Sequence, residues 1–323
     1  MKKISFALVL LLILTGLFPV SLASGQPLLI LSDGEAVPYE PYALYLTVSG
    51  EIGRLSARQG IVFTRAMESY LQANNVILST DEFLSLCGEE MNSYLESEIF
   101  TVCRGLLKAH YDLTDEQILR SIRDSYWSQY VAQMLSAFYR AQEKMSGESA
   151  EMMFSAFTEQ FYENLSFCDE ADGVAVFGGE TIAWTDEYRA QVRYNELTSL
   201  LATVDTIALN RSVEKYLDDN HVTVDYEGMD ESIRDAVASM QSNEIYSVAL
   251  DEILAAKHQK LDDFLVAMTP FVEANFQRAS FGGYCYELYQ AMPEDQRPED
   301  LREYYYSCLD GVSQTYQIGY LGW

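Results

Sequence analysis

Hydrophobic residues along this chain recur mostly every three or four positions, and a few short unbroken apolar runs separate the periodic stretches. The first run, Leu28 to Leu31, ends in Asp33-Gly34, a turn signal, and Val37 begins a brief return strand. From Arg54 the spacing predicts a helix, with Ile61, Val62, Met67, Tyr70 and Leu71 on one face and Asn74-Asn75 at its end. Val76-Ile77-Leu78 reads as an extended link, and Ser79-Thr80-Asp81-Glu82 as the N-cap cluster of the next helix. Thr114 caps another, whose Asp115 and Glu116 suit the positive end of the helix dipole. Its Ile118, Ile122, Tyr126, Tyr130, Met134 and Phe138 keep a four-residue rhythm that marks a buried face. Ser146-Gly147-Glu148-Ser149 breaks the pattern before a helix bearing Met153, Phe154, Phe157, Phe161 and Leu165. Val174 to Phe177 is extended and precedes Gly178-Gly179, and Thr185 caps a long helix towards Leu217. Val222 to Val224 is extended again. From Asp230 the pattern is helical to the end, with breaks expected near Gly282-Gly283 and from Met292 to Pro298. The expectation is a mostly α fold with short β-ribbons.

The two halves repeat one another at an offset of about 146 residues. Arg65, Glu68, Tyr70, Leu71, Asn74 and Val76 recur in order and spacing as Arg211, Glu214, Tyr216, Leu217, Asn220 and Val222. Gly34-Glu35 with Val37 and Tyr42 matches Gly179-Glu180 with Ile182 and Tyr188. Met91 matches Met240, and His110, Leu113 and Asp115 match His258, Leu261 and Asp263. The period is too long for a helical solenoid, so each unit is expected to be a small domain. The expected organisation is residues 1–23 as a signal peptide, 24–172 as one helical module and 173–323 as a divergent second.

The first 23 residues carry the three parts of a secretory signal. Lys2 and Lys3 are followed by an apolar stretch from Ile4 to Leu14, helix-breaking Gly16 and Pro19, and small residues at Ser21 and Ala23. Cleavage near Ala23 leaves a secreted or otherwise extracytoplasmic protein, not embedded in the membrane. An uncleaved anchor is the alternative, since Ile4 to Ala23 just suffices to cross a bilayer. Cleavage also moves the net charge from −28 to −30. Such an acidic chain repels nucleic acid and anionic lipid, and favours cationic partners. Five cysteines leave at least one thiol unpaired. Cys285 and Cys308 are candidates for a bridge between neighbouring helices; otherwise the cysteines read as buried apolar residues.

Several of these segments resemble the SurA/PrsA-type (trigger-factor-like) chaperone N-terminal domain. Val174 to Ile182 followed by Asp186-Glu187-Tyr188 is similar to its opening strand, Asn-Gly-Glu turn and acidic-aromatic helix start, with Gly178 where asparagine is usual. Leu29 to Glu35 is a looser version. Asn75 to Glu82 resembles the link after that family's first helix, and Leu113 to Ile118 the opening of its long helix. Val222 to Tyr226 lacks the usual cap pair, a departure in the second half. The resemblance implies duplicated helical modules that cradle unfolded exported polypeptides. The parvulin-type prolyl isomerase domain that often follows in that family has no strand-rich stretch here to hold it.

No other motif points to chemistry. Gly147-Glu148-Ser149-Ala150 starts like a nucleophile elbow, but Glu151 stands where glycine is required. His110, His221 and His258 read as residues at helix ends, with a metal or pH-sensing pair at His110 and His258 as the sharper reading. Neither cofactor, metal nor catalytic residue is expected. The aromatic supply is more suggestive: Tyr126, Trp127, Tyr130, Met134 and Phe138 share one helix, and one helix cannot bury all its faces. These five are the candidate peptide-binding residues. The sequence therefore suggests a non-catalytic, chaperone-like protein whose partners are exported polypeptides. The alternative is a secreted or surface protein that binds one specific folded partner.

Overall fold

The computed structural model describes residues 26–146 and 149–322. The signal segment and its cleavage site lie outside the described residues, as do Gly147 and Glu148. The protein is mostly α, with short antiparallel ribbons. Its elements follow one order twice. The first pass runs β1 (Pro27–Leu31), β2 (Ala36–Pro38), α1 (Ala43–Ala73), α2 (Thr80–Leu95), α3 (Glu98–Tyr111), α4 (Asp115–Ser146), α5 (Ala150–Asn164) and β3 (Leu165–Ser166). The second runs β4 (Ala175–Phe177), β5 (Glu180–Ile182), α6 (Asp186–Asp219), α7 (Met229–Ser242), α8 (Glu244–Ala256), α9 (Leu261–Ala291), α10 (Leu301–Val312) and β6 (Tyr316–Ile318).

The two sheets have corresponding registers. In one, β1 is central, with Leu29 opposite Val37 of β2 and Ile318 of β6. In the other, β4 is central; Ala175 lies opposite Ile182 of β5, and Phe177 opposite Leu165 of β3. Each hairpin thus receives its third strand from the end of the other pass. Neither β3 nor β6 is announced by the sequence, because a run of two or three residues carries no periodicity.

This exchange explains why the compact units do not divide at residue 172. One unit is continuous, Gly53–Thr198; the other joins the residues up to Ile52 with those from Ser199 onward. The boundaries fall inside α1 and α6, which sequence periodicity cannot mark because the helix runs on unbroken.

The continuous unit packs Met67, Leu71, Phe83, Tyr130, Val131 and Leu135 into one cluster, and Ile61, Val62, Phe161, Val174 and Val192 into another beneath the β4–β5 hairpin. Arg58, 4% exposed, ties the hairpin down. Its Nε donates to the Val174 carbonyl at 2.7 Å and its Nη2 to the Cys168 carbonyl at 2.5 Å, so the buried cation is met by backbone dipoles. In the discontinuous unit, Val48, Ile233, Leu250, Phe264 and Met268 form one cluster and Val213, Leu217, Phe281 and Cys285 another.

Three sequence expectations change. Gly282 and Gly283 lie inside α9, which continues to Ala291. A Cβ at Gly282 would sit 3.5 Å from the Tyr305 ring of α10, an ordinary van der Waals contact, so neither glycine interrupts the helix. Cys285 and Cys308 interact across these helices as free thiols. The histidine match is out of register: the left-handed residues that end α3 and α8 are Asp112 (φ 52°) and His258 (φ 55°), while His110 lies within the last turn of α3.

Candidate functional site

The continuous unit carries an open cleft of about 830 Å³. Its walls come from four places. α1 supplies Val62, Arg65, Ala66, Ser69 and Tyr70, and α5 supplies Phe157, Gln160, Phe161 and Asn164. The hairpin supplies Phe177 to Ala183 except Gly179, and the start of α6 Thr185 and Tyr188. Helical spacing explains the α1 wall: residues three and four apart project from one face, and the deeper members of that face are core. The hairpin wall depends on Gly178 and Gly179, whose φ values of 58° and 83° make the two-residue turn that brings Phe177 opposite Glu180.

The cleft is aromatic at its base. Tyr70 lies 5.3 Å from Phe157 between ring centroids, and Phe161 lies 5.4 Å from Phe177. Among the described residues its charged lining consists of Arg65 and Glu180, both exposed. Among the described residues neither has an ion pair. β5, which contributes Glu180 to Ile182 to the wall, is an outer strand of its sheet.

None of the five aromatic and methionine residues singled out on α4 lines this cleft. Tyr130 is fully buried; its oxygen accepts from the Ser79 N–H at 3.1 Å and its hydroxyl donates to Glu82 at 3.1 Å. Tyr126 and Met134 are half-buried against the same core. Phe138 stands behind the cleft, its ring 6.0 Å from Tyr70. Trp127 donates from Nε1 to Glu68 at 2.6 Å, and its ring borders a separate recess of about 560 Å³ with Arg120, Arg123 and Asp124. Burial holds the Asp124 carboxyl above the ordinary aspartate value. The cleft residues were present in the sequence patterns as helix-face and strand positions, but their convergence is tertiary. One signal pointed there: Arg65 and Glu180 both belong to the repeated positions.

The discontinuous unit shows the same local arrangement in a closed form. Arg211 of α6, the counterpart of Arg65, donates to Glu35 of the β1–β2 hairpin at 2.6 Å and to Glu214 at 2.5 Å. Lys215 pairs with Asp33, whose carboxyl is held below the ordinary value chiefly by that hydrogen bond. Hairpin and helix are thereby latched together.

Among the described residues no group of three or more histidine, cysteine, aspartate or glutamate side chains is placed to hold a metal ion. No helix among them is long and apolar enough to cross a membrane. No protein-family model, curated protein or solved structure matches the chain.

Proposed function

We propose that this protein is an extracytoplasmic, non-catalytic binder of polypeptide segments, which it holds in the cleft between α1, α5, β5 and the start of α6. The observation that carries this reading is the pairing of an edge strand with an aromatic floor in one open cleft. An edge strand offers unpaired backbone groups to an extended chain, and sequence-independent affinity comes from that ladder. Tyr70, Phe157, Phe177 and Tyr188 offer wide apolar faces to alternate side chains of the same chain. The strand-turn-helix pattern that resembles the SurA/PrsA-type N-terminal domain supports the same reading, because that family cradles exported polypeptides.

The chain's acidic surface complements this role. At a net charge of −28 it repels copies of itself and draws cationic segments in by long-range attraction. The apolar α4 face is not the binding surface in this reading, since its rings are engaged in packing.

The test is binding of a permanently unfolded chain, reduced and alkylated lysozyme, to the signal-free protein in about 0.15 M salt, where non-specific attraction is screened. Ser69→Trp and Thr181→Trp fill the cleft from exposed positions on opposite walls. Each is expected to weaken binding at least about tenfold without lowering the melting temperature, as blocking a recognition cleft removes more than 1.4 kcal/mol. Unchanged binding by both variants would refute the cleft as the site.

A further inference from the structure

The two hairpins are equivalent by strand register. Leu31 pairs with Glu35 through its N–H at 2.8 Å, as Phe177 pairs with Glu180. The outer neighbours correspond too, with Leu31 opposite Tyr316 and Phe177 opposite Leu165. In the discontinuous unit the loop between them is Ser32-Asp33-Gly34; in the continuous unit it is Gly178-Gly179. The shorter loop has no counterpart of Asp33. On the facing helix, Ser69 stands where the other unit has Lys215. One of the two latching ion pairs is therefore missing from the open cleft by composition.

The other, Arg211–Glu35, is missing because its counterparts Arg65 and Glu180 stand apart on opposite walls of the cleft; the helix-internal partner of the arginine differs as well. Glu214 serves Arg211, but its counterpart Glu68 accepts a hydrogen bond from Trp127 instead. At the position corresponding to Trp127, α9 carries Glu273, which donates nothing to Glu214 and raises its carboxyl's pKa by repulsion, after the larger effect of burial. Arg65 thus lacks the acidic neighbour that Arg211 has, and Glu180 stands on the opposite wall without a cation. In the closed unit the arginine holds a carboxylate, that of Glu35 on the hairpin.

Resting on the peptide-binding reading above, we propose that the cleft recognises segments carrying one acidic and one basic side chain flanking apolar residues. The ligand's carboxylate takes the place on Arg65 that Glu35 takes on Arg211, and its ammonium or guanidinium group pairs with Glu180. In a chain so acidic, an isolated arginine is what permits a ligand carboxylate to approach at all, while Glu180 adds to the general preference for cationic segments.

The probes are a fluorescein-labelled decapeptide with two phenylalanines, one glutamate and two lysines, and a twin with glutamine in place of the glutamate. Anisotropy titrations of the full signal-free chain are expected to show the glutamate peptide binding about threefold more tightly, the difference an exposed arginine–carboxylate pair makes. Arg65→Gln should abolish the difference between the twins, and Arg65→Lys should restore part of it. Because Arg65 is exposed, equal melting temperatures should accompany these changes. Twins that bind the unaltered protein equally, with Ser69→Trp blocking both, would overturn the carboxylate assignment and leave the cleft intact as a peptide site. If neither twin binds, both this inference and the reading beneath it fall.

Discussion

Single residues account for the agreement between the two passes of the chain. Asn74 donates from its side chain to the Tyr70 carbonyl at 2.8 Å, and Asn220 does the same to Tyr216 at 2.8 Å. The N–H of Val76 reaches back to Leu71 and that of Val222 to Leu217, both at 2.9 Å, closing α1 and α6 with a left-handed residue at Asn75 and His221. The repeated letters are thus the chemistry of one helix stop written twice. A residue without such a twin is Asp205, half-buried on α6, whose carboxylate accepts from the Tyr316 hydroxyl of β6. Burial is the larger influence and holds its carboxyl above the ordinary aspartate value, against the opposing hydrogen bond. A carboxyl that is more readily protonated when folded makes folding less favourable as pH rises from the unfolded value of about 4 through the raised folded one. Asp205→Asn keeps an acceptor for Tyr316 and never ionises. It is therefore expected to raise the melting temperature at pH 7 and to give no such gain at pH 3; a gain of the same size at both would contradict the assignment.

At the scale of elements, the face read for α4 is a packed one: Tyr130 sits in the core, and Tyr126, Met134 and Phe138 pack against it. A step of four residues overshoots one turn by about 40°, so five steps from Ile118 to Phe138 rotate the stripe by about 200°. Ile118, Ile122 and Tyr130 are buried, and towards the far end Val131, Leu135 and Tyr139 join the buried set. Met134 and Phe138 lie beside that stripe. The pairing of α9 with α10 is also an element-scale matter, since it brings Cys285 against Cys308. Burial first, and then the hydrogen bond to Cys308, pushes the Cys285 thiol up to about 12; burial alone does the same to Cys103. Thiolate is the reactive form, so both should be slow. In the native protein at pH 8, iodoacetamide is expected to modify half-buried Cys168 more than about tenfold faster than Cys103 or Cys285, with the rates converging in denaturant. Equal native rates, read by peptide mass mapping, would show that those helices open readily.

For the whole molecule, the decisive feature is that each hairpin is completed from the far end of the other pass. In the continuous unit the partners are near in sequence, Leu165 with Phe177; in the discontinuous unit Leu29 must find Ile318. Loop closure over nearly the full chain costs entropy before any contact repays it. During refolding, pulsed hydrogen exchange is accordingly expected to protect the amides of Val174 and Gly178 before those of Ser32 and Gly319, which bond across the β1–β6 pairing. Simultaneous protection would mean that the sheets form as one.

Periodicity, caps and turn residues determined the mostly α character, both hairpins and the repeat, because those signals reside in neighbours a few positions apart. Ser79, Thr114 and Thr185 act as the caps their positions announce. Where the compact units divide, which strand closes which sheet, and that Arg65 faces a cleft while Arg211 is latched were decided only by the fold. Most of these depend on distant residues meeting through packing, as Leu29 meets Ile318 and Arg211 meets Glu35. Local pattern contains the letters of such a site; distance in three dimensions selects which of them act together.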